Sequence, residues 1–249
     1  MLNVSDLGEG TPILWIHGFP LSSAIYEDQL AIPGARHIMP DLPGFGQSRA
    51  TGGDVTIDDY ARMMIELLDH RGLDRAVIAG LSMGGYIALA IARLAPGRMR
   101  GLVLIDTRET PDDATAREGR FASIEKVKRE GTAPVVEGML PKMIVPEAPE
   151  ALRARVRGIM ESASPEGVMA ALRAMAVRAD STQVLPTVAV PALVLVGDRD
   201  PITPPSDAEQ MAAAIPGATL VRIPDAAHLS NMERPEEFNR AVSAFLARM

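Results

Sequence analysis

The 249-residue chain contains no cysteine. That excludes a disulfide framework, a thiolate nucleophile and any metal site built on sulfur. It also has no basic block: 25 Lys and Arg stand against 32 Asp and Glu, for a formal net charge of −7. This balance argues against nucleic acid and against an anionic membrane surface as partners. No uninterrupted apolar run approaches the roughly 20 residues of a membrane span. The opening Met1-Leu2-Asn3-Val4-Ser5-Asp6 lacks the basic and apolar regions of a secretory signal. A soluble cytoplasmic protein is expected. Aromatic residues make up only 4% of the chain, so rigid stacking walls are scarce. Gly44-Phe45-Gly46 lacks the lysine and spacing of a phosphate loop, and no His or carboxylate cluster has metal-ligand spacing. The expectation is no metal and no cofactor.

The 47% hydrophobic content is enough for one large α/β domain or a core with an insertion. Short apolar runs alternate with longer amphipathic ones. Strands are expected around Val4, at Ile13-Leu14-Trp15-Ile16, near His37-Ile38-Met39, at Ala76-Val77-Ile78, at Leu102-Val103-Leu104-Ile105, at Ala192–Val196 and at Thr219–Ile223. Between them, Ile57, Ala61, Met64, Ile65 and Leu68 form one helical stripe, and a closing helix from Pro235 turns Phe238, Val242, Phe245 and Leu246 inward. Strand–helix alternation points to a mostly parallel sheet with helices on both faces, and such sheets bind ligands at the carboxyl ends of their strands. The rhythm stops after Asp106. Residues 107–186 read as helices alone, among them one carrying Leu152, Val156, Ile159 and Met160 and one capped by Ser164-Pro165-Glu166. The expected division is a core of 1–106 and 187–249 and a helical cap of 107–186.

The chain is organised around Gly80-Leu81-Ser82-Met83-Gly84, which matches G-x-S-x-G between an apolar strand and a helix-like run. A serine on so sharp a turn brings strand and helix backbones close, and side chains at Gly80 and Gly84 would collide. The hydroxyl is presented at a helix N-terminus, where developing negative charge is favoured. A serine needs a neighbouring base, and histidine can take its proton and later return it. His228 lies just past the last strand, and Asp198 and Asp200 just past the one before. A carboxylate behind the imidazole would fix its tautomer. The N–H groups of Met83, next after the serine, and of Phe19, in the loop after Trp15, are the natural donors to an oxyanion. His17 suits a bracing role in that loop, while His37 and His70 read as non-catalytic. Asp106 also ends a strand near the site and remains an alternative acid.

Together these segments resemble the α/β-hydrolase superfamily, and within it capped carboxylesterases and 3-oxoadipate enol-lactonase-like hydrolases. The likeness spans nearly the whole chain. It rests on His17-Gly18-Phe19-Pro20, on Asp41 through Ser48, on Gly80 through Gly85, on Ile105-Asp106-Thr107-Arg108, on Gly197-Asp198-Arg199-Asp200-Pro201 and on Ala227 through Pro235. The resemblance implies a nucleophile, acid and base in the order Ser82, Asp200, His228, with the acid three residues after Gly197. It also implies a first strand that this chain lacks, leaving about seven. The implied activity is that of a serine carboxylesterase on small-molecule esters. The same machinery acting on a lactone or a carbon–carbon bond is one alternative, and a ligand-binding protein that no longer turns over is another. The abundance of methionine, 14 residues, several of them in 107–186, suggests an adaptable acyl pocket. Met139, Met143, Met160 and Met169 are its candidate lining, and short to medium acyl chains its expected fit.

Overall fold

Residues 2–249 are described by a computed structural model, and strand alternation explains its layers. In β2 (Thr11–Ile16), Ile13 and Trp15 enter one apolar cluster while Leu14 and Ile16 enter the other. Successive strand side chains point to opposite faces, so each strand feeds both layers. The same holds for the residues of β4 (Ala76–Leu81), β5 (Met99–Ile105) and β6 (Ala192–Gly197), whose buried apolar runs carry no polar face. On one side lie α1 (Ile57–His70), α2 (Met83–Leu94) and α7 (Pro205–Ala214); on the other lie a 3-10 helix, Ser23–Ala31, and α8 (Pro235–Leu246). With β1 (Val4–Leu7), β3 (Ala35–Pro40) and β7 (Thr219–Ile223), the sheet has seven strands in the order β1-β3-β2-β4-β5-β6-β7. Among the described residues, only β1 runs antiparallel.

From β2 the chain crosses to β3 on one side, and from β4 to β5 on the other. The crevice outside the carboxyl ends of β2 and β4 is therefore the switch point at which such sheets hold ligands. Phe19 follows the first of these strands and Ser82 the second.

Residues 107–186 contain no strand among the described residues. They form α3 (Ala114–Glu130), α4 (Ala133–Met143), α5 (Glu150–Glu161), α6 (Pro165–Ala176) and a 3-10 turn, Thr182–Thr187. Ser164 caps α6 as its type suggests, its hydroxyl accepting from the Gly167 N–H at 3.1 Å. The Ser164 N–H in turn donates to the Gly44 carbonyl at 2.8 Å. Gly44 has φ 86°, and a Cβ there would lie 2.3 Å from the Gly167 Cα, so two backbones touch with no side chain between them. A second tie is the buried ion pair Arg178–Asp112 at 2.7 Å, whose guanidinium also sits 4.2 Å above the Tyr86 ring on α2.

The turn from β4 into α2 is tighter still. Ser82 has φ 54° and ψ −113°, a conformation unusual for a residue with a side chain. A Cβ on Gly80 would come within 2.1 Å of the Gly84 carbonyl oxygen, and one on Gly84 within 2.0 Å of the Ile16 carbonyl oxygen. Both obstacles are backbone and cannot swing aside. Gly84→Ala is accordingly expected to lose on the order of 3 kcal/mol of stability, lowering Tm by about 6–12 °C for a chain of this size. Gly158→Ala, in α5 with open space around the position, should instead gain about 0.5–1 kcal/mol. Thermal denaturation of the two variants checks the contrast, and equal melting temperatures would contradict the close packing.

Candidate active site

Ser82, Asp200 and His228 follow β4, β6 and β7 respectively, so all three lie at the same carboxyl edge of the sheet. Ser82 is at the border of burial, 9% exposed, while Asp200 and His228 are enclosed. The Ser82 N–H donates to the Ile105 carbonyl at 2.9 Å, and Thr107 Oγ1 donates to the Ser82 carbonyl at 2.7 Å, so the elbow is held from β5. The loop after β2 passes directly over it: a Cβ on Gly18 would lie 3.1 Å from the Ser82 Cβ. Phe19 and the first residue of α2, Met83, thus come from the two backbones that meet at Ser82. The N–H groups of a helix's first turn have no intrahelical acceptor, which leaves them free for an anion.

The carboxylate partner of the imidazole is Asp200. His228 Nδ1 and Asp200 Oδ2 are 2.7 Å apart. Asp200 is itself held by the N–H groups of Ile202 (2.7 Å) and Thr203 (3.1 Å) on Oδ1 and by the Thr203 hydroxyl (2.6 Å) on Oδ2. Burial alone would raise the pKa of Asp200. The His228 charge and hydrogen bond, with the donors from Thr203 and Ile202, outweigh it and hold the pKa below the usual carboxylate value. For His228 the same contest runs the other way. Burial disfavours the imidazolium, but the charge and hydrogen bond of Asp200, with Asp106 behind them, carry the pKa above its ordinary value. The carboxylate favours the Nδ1–H tautomer, which leaves Nε2 without a proton in the neutral ring.

Asp106 is fully buried but bonds elsewhere. It accepts from the Gly197 N–H at 2.8 Å and from the Ser230 hydroxyl at 2.6 Å, while Asp200 occupies the imidazole nitrogen. Asp198 is exposed. His17 has the bracing role its position suggests: Nε2 accepts from the Leu42 N–H at 2.9 Å and Nδ1 faces the Gly18 carbonyl at 2.9 Å. Burial pushes its pKa down to about 4, so it is a neutral tie between the Phe19 loop and the Leu42 loop. His37 accepts from the Trp15 indole N–H at 3.1 Å, and His70 ends α1.

The four candidate methionines separate. Met139 lines a cavity of about 360 Å³ between α3, α4 and α6, with Phe19, Val135 and Leu172 on its walls and Arg120 and Lys126 along α3. Met143 and Met160 are fully enclosed in the apolar cluster of Val136, Leu140, Val156 and Leu229. Met169 is half-buried against the other cluster.

Three supporting residues escaped the sequence reading. Thr203 anchors Asp200; a hydroxyl three residues after an Asp in a proline-rich turn was the available signal. Ser230 holds Asp106. Glu233 accepts from the Ala227 N–H at 2.6 Å and the Val145 N–H at 2.7 Å, fastening the His228 loop to the end of α4. Burial raises its pKa. Its signal was only its place in the stretch after His228. Among the described residues, no helix is long and apolar enough to cross a membrane, and no group of three His, Asp or Glu is placed to hold a metal ion.

This geometry agrees with known proteins over nearly the whole chain. Residues 11–235 match the family model of the alpha/beta hydrolase fold. Among curated relatives, 3-oxoadipate enol-lactonase 2 of Acinetobacter baylyi is 27% identical, across 99% of this chain and 93% of its own. Among solved structures, a thermophilic esterase from Thermogutta terrifontis, malate bound, superposes with a TM-score of 0.96 at 42% identity, covering 99% of this chain and 93% of that one. The enol-lactonase from Burkholderia xenovorans LB400 gives 0.91 at 27% identity, with 99% and 96% covered. The strained serine turn, the seven-stranded sheet and the family match over residues 11–235 make the chain a member of the alpha/beta hydrolase fold family.

Proposed function

We propose that this hydrolase is a serine carboxylesterase that works through an acyl-enzyme on small esters. The observation that carries the proposal is the buried 2.7 Å His228–Asp200 pair at the strand edge that also bears the strained Ser82. In this reading His228 Nε2 takes the Ser82 proton as Oγ attacks the ester carbonyl carbon. The oxyanion is met by the N–H groups of Phe19 and Met83. Collapse breaks the bond to the alkoxide, which leaves with the proton from His228. Water then gives its proton to the same nitrogen, attacks the acyl carbon, and frees the acid and Ser82. The helices of 107–186 act as a cap, with the Phe19–Met139–Leu172 cavity as the acyl approach. The 42% identity to an esterase supports this reading. A second reading, lactone opening, is favoured by two relatives named as enol-lactonases; a lactone is an internal ester, so the same residues would serve. Assays on matched open-chain esters and lactones rank the two.

Ser82→Ala is expected to lower kcat by about 10⁴–10⁶-fold in a folded protein. Peptide mapping after fluorophosphonate treatment should find the adduct on Ser82, and labelling of any other serine ends the proposal.

The reaction requires neutral His228, and its pKa lies above the ordinary value of about 6.5. Because the imidazolium cannot accept a proton, kcat/KM should be full on the alkaline side and fall on acidification through one ionisation above that value. A profile flat from pH 5 to 9, with the enzyme still folded, contradicts the base assignment.

Each added CH₂ that the cavity buries should contribute at most ~0.8 kcal/mol, about fourfold in kcat/KM. Across nitrophenyl esters from acetate to palmitate, the rate should rise over the first carbons and decline well before the longest chains. A maximum at palmitate with activation at an oil–water interface would identify a lipase instead.

A further inference from the structure

We infer that the end of β5, and Asp106 in particular, is the positioning element that keeps the acid loop and the histidine loop in register with the elbow. The inference rests on the function proposed above. Three consecutive residues reach three separate parts of the site. Ile105 accepts from the Ser82 N–H, and Thr107 donates to the Ser82 carbonyl. Between them, the Asp106 N–H donates to the Leu195 carbonyl at 2.9 Å. Asp106 Oδ1 accepts from the Gly197 N–H, three residues before Asp200. Asp106 Oδ2 accepts from the Ser230 hydroxyl at 2.6 Å and, more loosely, from the Ser230 N–H at 3.3 Å, two residues after His228. One carboxyl group therefore ties together loops that are 91 and 124 residues away in sequence.

Asp106 is 0% exposed, and its φ of 44° lies in the left-handed region that a non-glycine residue adopts only when its surroundings enforce it. Here the enforcement is the set of bonds just described. A buried carboxyl group is costly without partners, and each of its partners would in turn be stranded without it. Asp106 does not act on His228 as the acid, because Asp200 holds Nδ1. Its work is geometric. Burial and the neighbouring Asp200 charge raise its pKa, so an amide of the same shape is a close substitute. Asparagine keeps the acceptor for the Gly197 N–H and offers its NH₂ to the Ser230 hydroxyl, giving up only the loose 3.3 Å bond from the Ser230 N–H; alanine keeps none of the three.

Misplacing reacting groups by about 1 Å can cost 10²-fold in rate. With a short nitrophenyl ester, Asp106→Ala should lose about 10²-fold in kcat with KM within threefold of wild type. Asp106→Asn should stay within about fivefold of wild type, and Ser230→Ala, which removes one tie, should lose about tenfold or less but measurably. The amide rescue and the loss confined to kcat are what a purely structural residue would not give. Wild-type kcat in Asp106→Ala overturns the inference, as does an equal loss in the Asn and Ala variants, which would make the charge and not the bonds decisive. Should Asp106→Ala fail to fold, undiminished kcat in Ser230→Ala overturns it. A wild-type enzyme that turns over no ester and takes no fluorophosphonate overturns the proposed function and this inference with it. An active wild type with an indifferent Asp106→Ala overturns the inference alone.

Discussion

Helix α2 lies against β2 with nothing but backbone between them, and the rest of the site depends on that contact. The Gly84 position leaves no room for a single methyl beside the Ile16 carbonyl, and Gly80 leaves none beside Gly84. Because strand and helix approach so closely, the one residue between them is forced out of the usual backbone regions and its hydroxyl is carried to the sheet edge. The helix N-terminus arrives at the same point, with its free N–H groups and its dipole. The β2 loop passes above with Gly18 against Ser82. The candidate nucleophile and the candidate oxyanion donors are therefore one packing event rather than separate features.

The electrostatics are arranged around the same edge. Two carboxyl groups, Asp200 and Asp106, approach one imidazole in an enclosed site, and their surroundings drive them apart. Asp200 has four polar partners and is held ionised, whereas burial and the Asp200 charge push Asp106 upward. A site with two equal carboxylates beside one histidine would carry excess buried charge. Splitting their character lets one carboxylate serve the imidazole while the other serves backbone and hydroxyl.

What could be read from the sequence follows from range. The strands, their order of appearance, the elbow and the all-helical run after Asp106 are local patterns of period two or 3.6, or motifs of five to eight residues. They were legible for that reason. Asp200 was expected beside His228 only through the family resemblance, which puts the acid three residues after Gly197; no local pattern separates it from Asp198. The 3-10 helix Ser23–Ala31 was not legible, because its residues show no helical stripe; only Ile25, Tyr26 and Gln29 are buried on it. The roles of Thr203, Ser230 and Glu233 were hidden too, since each is defined by hydrogen bonds to particular partners that only the folded chain brings near. For Ser230 that partner is 124 residues away, and nothing local records such pairing. The methionines show the same limit from another direction. A helical stripe identifies a buried face, but Met139, Met143 and Met160 fall on buried faces of two neighbouring helices, and only the assembled packing tells a wall from an interior.

The contact between Gly44 and Gly167 bears on how this segment can be exchanged between relatives. That segment is the run of helices within 107–186. In this chain the start of α6 is seated on a core loop by bare backbone, with the Ser164 N–H bound to the Gly44 carbonyl and no gap for a methyl on either side. A transplanted helical segment carrying any side chain at the Gly167 position would be lifted off that loop. So would the native segment on a core with a side chain at position 44. The joint has two halves, Gly167 within 107–186 and Gly44 outside it, and they must travel together. In a chimera library, the compatible crossovers are those that inherit both glycines from one parent.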